Sequence, residues 1–201
     1  MVLEVFDDIL NSNEQDLLLN YVENNSNWVD IKNITGDYAN KFNQYSFPAK
    51  VIPSTIVNDD TINGIVDKIQ NIVCQKIKHT FVKNYRWKIN WTIPLNGDYN
   101  PLDLIHIDSN VQHIAIIYYI NDSSGDTHIF NNINGNNAES NFLNQYTING
   151  SNVALKRKIT PKMGRVIAFD GNLLHYGDYP KYGDRFVLNI NLATKFKTEL
   201  I

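Results

Sequence analysis

Residues 161–192 read PKMGRVIAFDGNLLHYGDYPKYGDRFVLNINL. Two runs in this stretch, 165–169 and 185–192, read as strands, and turn chemistry (DGN, KYGD) lies between them. Successive side chains on a strand alternate faces, so Val187 and Asn189 share the face of Arg185. His175 sits on a short apolar segment ten positions before Arg185. Each of the two is ordinary by itself. A histidine among apolar neighbours is commonly a satisfied core residue, and an arginine opening a strand is commonly a rim charge. Together they offer a metal ligand followed by a fixed cation.

The partner of His175 is sought upstream. LIHIDSN, residues 104–110, carries His106 and Asp108 two positions apart in an apolar run. On a strand the two point the same way, away from Ile105 and Ile107. An imidazole and a carboxylate on one face can bind a divalent metal. The same spacing also suits an exposed polar pair. His175 and Arg185 weigh toward the metal.

The rest of the chain gives the frame. Residues 13–24 read as a helix with Ser12 as N-cap and Gln15 as its capping-box partner. Residues 59–83 read as a longer one, with Ile62, Ile65, Val66, Ile69, Ile72, Val73 and Ile77 on one stripe. A stripe of that length packs on a sheet. After it the period changes to two, and strands are expected at 86–93, 102–107, 112–120, 127–130, 153–158, 165–169 and 185–192. The loops 33–53 and 131–144 carry no recognisable pocket motif. Helices followed by seven or eight strands favour an α+β domain closing into a sandwich or jelly roll. At 201 residues the chain fits a single domain, with residues 1–84 as mainly helical support and 85–201 as the β core.

Composition narrows the function classes. A net charge of -3 disfavours a nucleic-acid surface. The single cysteine, Cys74, cannot form an internal disulfide and fits a small core residue. The opening residues do not read as a signal peptide, and no apolar run approaches the length of a membrane span, so a cytoplasmic protein is expected. The wealth of Asn, Ile, Lys and Tyr suits an AT-rich source such as a phage, in which case the compartment is the host cytoplasm.

In order along the chain, His106-x-Asp108, IIYYIN (116–121), GDTHIF (125–130), P-x-x-G-R-x-x-x-F-D (161–170), His175 and Arg185 resemble the Fe(II)/2-oxoglutarate-dependent oxygenases. The nearest subgroup is the prolyl 4-hydroxylase-like one, with its small bacterial and phage members. The resemblance covers about the second half of the chain. It implies a double-stranded β-helix (jelly roll) with N-terminal supporting helices. It implies iron(II) held by His106, Asp108 and His175, which also makes these the catalytic residues. It implies 2-oxoglutarate bound through its distal carboxylate by Arg185, with Tyr119 and Asn189 as further contacts. O2 is the oxidant, with ascorbate as a supporting reductant. The implied activity is hydroxylation of a C–H bond in a protein, peptide or small-molecule substrate, with release of succinate and CO2. Tyr119 shares its strand face with Ile117, Ala115 and His113, and a slip of one residue would exchange it for Tyr118.

Two departures stand out. Family members often carry a cosubstrate-binding tyrosine on the strand before the H-x-D pair, where this chain has Asn90, Trp91 and Thr92. The usual glycine pair before the threonine-containing strand is Ser124-Gly125. Two other readings stay open at this point: a cupin-like metalloenzyme that uses the same three ligands without 2-oxoglutarate, and a jelly-roll binding module with a degenerate metal site.

Overall fold

A computed structural model of the chain describes residues 1–30, 49–95, 99, 101–109, 111–132, 145–148 and 151–196. The expected loops at 33–53 and 131–144 lie largely outside this set. The chain opens with β1 (Leu3–Phe6) and α1 (Ser12–Asn24). The cap of α1 is Asn11, one residue before the expected Ser12. Asn11 Oδ1 accepts from the Glu14 backbone N–H at 3.0 Å, and Glu14 Oε2 accepts from the Asn11 N–H at 3.0 Å. Glu14 also meets Lys68 Nζ of the second helix at 2.6 Å. A glutamine has no charge to offer that lysine, so the Asn–Glu box prevails over the Ser–Gln alternative.

The second helix, α2 (Asp60–Lys76), is capped by Asp59, whose Oδ1 accepts from Thr61 N at 2.9 Å and Ile62 N at 3.1 Å. Ile62, Ile65, Val66, Ile69, Val73 and Cys74 are buried, as the stripe requires. The helix stops well short of residue 83. Ile77 N–H bonds back to Val73 O at 2.9 Å, Lys78 takes a φ of 58°, and a strand begins at His79. The run Thr80-Phe81-Val82 is β-branched and aromatic, and Thr80 and Phe81 pair with Lys195 and Thr194 of the last strand, so strand pairing takes residues that the expected helix had claimed.

The remaining strands are β2 (Val29–Asp30), β3 (Ala49–Pro53), β4 (His79–Thr92), β5 (Ile114–Tyr119), β6 (Thr127–Asn132), β7 (Gln145–Ile148), β8 (Ser151–Ile159), β9 (Val166–Asp170), β10 (His175–Gly177) and β11 (Arg185–Phe196). They form two antiparallel sheets. The larger runs β1-β9-β5-β11-β4-β3-β2, and the smaller runs β10-β6-β8-β7. The first 84 residues thus supply three whole strands as well as the helices. Residues 102–107, expected as a strand, instead form a 3-10 turn, Pro101–Leu104, followed by one isolated bridge between His106 and His175. Pro101 has no N–H for a ladder, and the segment touches the small sheet at that one rung.

Alternation divides the large sheet between two cores. Ile114, Ile116 and Tyr118 of β5 and Phe186, Leu188, Ile190 and Leu192 of β11 cluster with the apolar side chains of the helices. Ala115, Ile117, Tyr119 and Val187 face the other way, toward Ile129 and Ile159 of the small sheet. The architecture is the expected jelly roll: two facing sheets with helices on the outside of the larger one. No helix among the described residues is long and apolar enough to cross a membrane.

Ile69 is fully buried between α2 and the sheet. Ile69→Ala is expected to cost about 2–5 kcal/mol of stability. Urea unfolding will report this as a lower midpoint at an unchanged slope.

Candidate functional site

A cavity of about 440 Å³ opens between the two sheets, with Arg86, Lys88, His106, Asp108, His175 and Arg185 among its lining residues. Two backbone hydrogen bonds bring its histidines together. His106 N–H donates to His175 O at 3.0 Å, and His175 N–H donates to His106 O at 2.9 Å. Residues directly opposite on an antiparallel pair have neighbouring side chains, and the two ring centroids lie 4.7 Å apart. Asp108 comes from the same segment as His106. Its Oδ1 lies 3.8 Å from His106 Nε2, and its Oδ2 lies 3.9 Å from His175 Nε2. The three ligand atoms fall within 4.8 Å of one another.

Both imidazoles are oriented by the backbone. His106 Nδ1 lies 2.7 Å from Leu104 O, and His175 Nδ1 lies 2.9 Å from Leu173 O. A carbonyl only accepts, so Nδ1 carries a proton in each ring, and the neutral form of each ring has its lone pair on Nε2, the nitrogen nearer Asp108. Burial, reinforced by the neighbouring His175, pulls the His106 imidazole down to about 4, so the ring is neutral at physiological pH. Burial works against the charge of Asp108, but the histidines, Lys88 and Arg86 outweigh it and hold the carboxyl well below its usual range. Two imidazoles and a carboxylate, with Nδ1 of each ring already satisfied, are a donor set suited to a divalent first-row metal.

The carboxylate has its own supports. Asn189 Nδ2 donates to Asp108 Oδ2 at 3.1 Å, and Arg86 Nη2 lies 3.4 Å from Oδ1 and donates to the Asp108 backbone oxygen at 3.2 Å. Asn191, with its amide nitrogen toward Asp108, donates to Oδ2 at 3.1 Å while its oxygen accepts from Arg86 Nε at 3.0 Å. The structure therefore places Asn189 on the carboxylate of the triad. Arg86 and Asn191 were missed by the sequence reading. Asn191 was within its reach, since it continues the Arg185–Val187–Asn189 face by one more step.

Arg185 lies at the other end of the cavity and is buried. Its Nη2 donates to Thr127 Oγ1 at 3.0 Å, and Tyr119 Oη donates to the same oxygen at 2.6 Å. Its guanidinium carbon stands 5.6 Å from the centre of the Tyr119 ring. Tyr119 faces the side of the small sheet and Tyr118 the side of the helices, the orientation that the family resemblance implied. No carboxylate pairs with Arg185 among the described residues, and its Nε is buried without a hydrogen-bond partner. Burial lowers the proton affinity of this guanidinium, as expected for a cation without a counter-ion. A Cβ at Gly177 would lie 3.0–3.2 Å from the guanidinium atoms, so a glycine is what lets β10 approach this closely.

A second His/Asp group, Asp126, His128 and Asp178, lies on the opposite face of β6 from Thr127. Its donors are already engaged with one another. His128 Nε2 lies 2.8 Å from Asp178 Oδ2, Asp126 Oδ2 is 2.7 Å from Lys158 Nζ, and Tyr99 Oη donates to Asp178 Oδ1 at 3.1 Å. This network ties Tyr99, from the segment that leads into His106, to the small sheet. His113 lies away from the cavity, with Nδ1 2.6 Å from Val111 O and its ring packed on Gly171.

No protein-family model matches the sequence, and no curated protein sequence matches it. Solved structures do match. A prolyl hydroxylase from Trichoplax adhaerens, in complex with a hypoxia inducible factor oxygen degradation domain peptide fragment, superposes with a TM-score of 0.60 at 11% identity over 94% of this chain and 82% of that one. A Pseudomonas putida prolyl-4-hydroxylase matches with a TM-score of 0.56 at 10% identity, over 97% of this chain and 92% of that one. HygX from Streptomyces hygroscopicus, with nickel and 2-oxoglutarate bound, matches with a TM-score of 0.56 at 13% identity, over 97% and 83%. At these identities the likeness is one of fold, and the fold of this chain is that of the 2-oxoglutarate/Fe(II) oxygenases.

Proposed function

We propose that the chain is an iron(II)- and 2-oxoglutarate-dependent dioxygenase that hydroxylates a C–H bond of a peptide or small-molecule substrate. One observation carries this reading. A single cavity holds two imidazoles and a carboxylate at one end and, at the other, a buried guanidinium without a counter-ion among the described residues. A metal site alone has no use for that guanidinium. A cosubstrate with a chelating end and a distal carboxylate uses both ends at once, which favours this reading over a cupin-like metalloenzyme or a degenerate binding module.

In this reading His106, Asp108 and His175 are the iron ligands and leave the remaining coordination positions open. Bound iron and 2-oxoglutarate supply the oxidising chemistry with O2, releasing succinate and CO2. The chain's own work is to hold and orient. Arg185 takes the distal carboxylate through a charge-assisted pair that cannot be lost by deprotonation. Thr127 fixes the guanidinium, and Tyr119 fixes Thr127 and lies beneath Arg185, so Tyr119 acts on the cosubstrate through these two. Asn189, Asn191 and Arg86 hold Asp108 in its binding orientation. Leu104 O and Leu173 O hold the two imidazoles in the tautomer that binds metal.

Supplied with Fe(II), ascorbate and 2-oxoglutarate, the protein is expected to release succinate slowly even without a substrate. Wild-type protein that yields no succinate above a metal-free control overturns the reading. Arg185→Ala is expected to weaken 2-oxoglutarate binding by about 2–5 kcal/mol, measured by calorimetry on protein loaded with an oxygen-inert metal. An unchanged affinity removes Arg185 from the site. Gly177→Ala is expected to act in the same direction more weakly, by crowding the guanidinium.

The pH dependence of the metal-free protein has a fixed sign. The folded-state value of His106 lies below its unfolded value. Between about pH 6.5 and about pH 4 the unfolded chain therefore binds a proton that the folded chain does not, and stability falls as pH falls. Thermal melts across that window should show the loss, and His106→Gln should flatten it.

A further inference from the structure

The wall built by β4 and β11 carries more positive charge than the proposed reaction uses. Their register pairs Thr92 with Arg185, Asn90 with Val187, Lys88 with Asn189 and Arg86 with Asn191. Every one of these residues except Asn191 is among those lining the cavity. Arg185 serves the cosubstrate, and Arg86 is tied to Asp108 and Asn191. Lys88 acts on Asp108 only through space, by its charge. It is half-buried, it lines the cavity, and among the described residues it has no hydrogen-bond or ion-pair partner. Two residues along the same face, Asn90 Oδ1 is buried without a partner as well.

Position separates Lys88 from the distal carboxylate of 2-oxoglutarate. It lies four residues from Thr92, the rung of Arg185, which is about 13 Å along the strand. Its own rung is that of Asn189, whose amide holds Asp108, so the ammonium stands beside the triad. Charge makes the same point. Iron(II), the Asp108 carboxylate, dianionic 2-oxoglutarate and the Arg185 guanidinium sum to neutrality. Lys88 remains as a surplus cation on a partly desolvated wall, where an uncompensated charge is costly. A third, negatively charged ligand offsets that cost.

Resting on the function proposed above, we infer that Lys88 anchors an oxyanion of the primary substrate, a carboxylate or a phosphate, and holds it beside the metal. The substrate class is then an acidic small molecule or a peptide with an acidic group near the oxidised carbon. A neutral prolyl ring alone does not meet this requirement.

The test uses protein loaded with Ni(II) and 2-oxoglutarate, titrated by calorimetry at constant ionic strength with three probes. N-acetylglycine presents a carboxylate, methyl phosphate presents a phosphate, and N-acetylglycinamide is the neutral control. At least one anion is expected to bind at least tenfold more tightly than the amide, and the better one identifies the class. Lys88→Met is expected to weaken that anion by about tenfold to a hundredfold, with 2-oxoglutarate affinity held within twofold. Lys88→Arg should retain the anion. Melting temperatures report whether each variant is folded, and Lys88→Gln replaces Lys88→Met if the latter is not.

Equal binding of anions and amide overturns the proposal, as does the absence of anion binding in the wild type. A Lys88→Met variant that loses 2-oxoglutarate instead also overturns it, since Lys88 would then be a cosubstrate ligand. The same titrations on metal-free protein keep the two readings apart. Failure of Ni(II) and 2-oxoglutarate to bind removes the oxygenase reading, whereas failure of the anions alone removes only the role of Lys88.

Discussion

The site depends on one rung of backbone pairing. His106 and His175 exchange two hydrogen bonds, at 3.0 and 2.9 Å, although His106 belongs to no strand. That exchange joins two segments nearly seventy residues apart and sets their imidazoles side by side. The same rung delivers Asp108, two residues on, to the amides of Asn189 and Asn191 on the large sheet. A segment held at a single rung needs other restraints. The 3-10 turn before it and the Tyr99–Asp178 hydrogen bond behind it supply them. The outer Asp126/His128/Asp178 network is best understood in this light, as bracing for the segment that carries His106.

Electrostatics explains the pairing of residues within the cavity. Asp108 is the only carboxylate among the described residues lining it, against the three cations Arg86, Lys88 and Arg185. A folded protein tolerates such an excess where ligands supply the missing negative charge. The two ends differ in kind. At the Arg185 end the cation is enclosed, fixed by Thr127 and backed by Tyr119. At the Arg86 end the side chain reaches solvent.

Much of this was legible in the sequence, for identifiable reasons. Strand alternation on 185–192 placed Arg185, Val187 and Asn189 on one face because each intervening residue is large and apolar. The same rule set Tyr118 and Tyr119 on opposite faces, and the family resemblance chose Tyr119 for the cavity side. Where the rules gave a wrong local answer, a long-range partner had intervened. The helix ended at Lys76 because Thr80 and Phe81 pair with the last strand, and a stripe of apolar residues cannot reveal that competition. The cap fell on Asn11 because Lys68 recruits Glu14 from the neighbouring helix. The strand expected at 102–107 was a turn, yet His106 and Asp108 still converged, since their two-residue spacing survives in any extended segment. Arg86 and Lys88 were hidden for another reason. A cation on a strand reads as a solvent-facing residue until the strand opposite is known to carry Asn189 and Asn191.

One strand, β11, has a consequence beyond the cavity itself. Its odd-numbered positions from Arg185 to Asn191 furnish chemistry, while Phe186, Leu188, Ile190 and Leu192 seal the layer beneath the helices. A displacement of this strand by a single residue would bury three polar groups in hydrocarbon and turn four apolar ones into the reaction chamber. Fold and activity are thus written into the same twelve residues, so an insertion or deletion there cannot inactivate the protein and leave it intact.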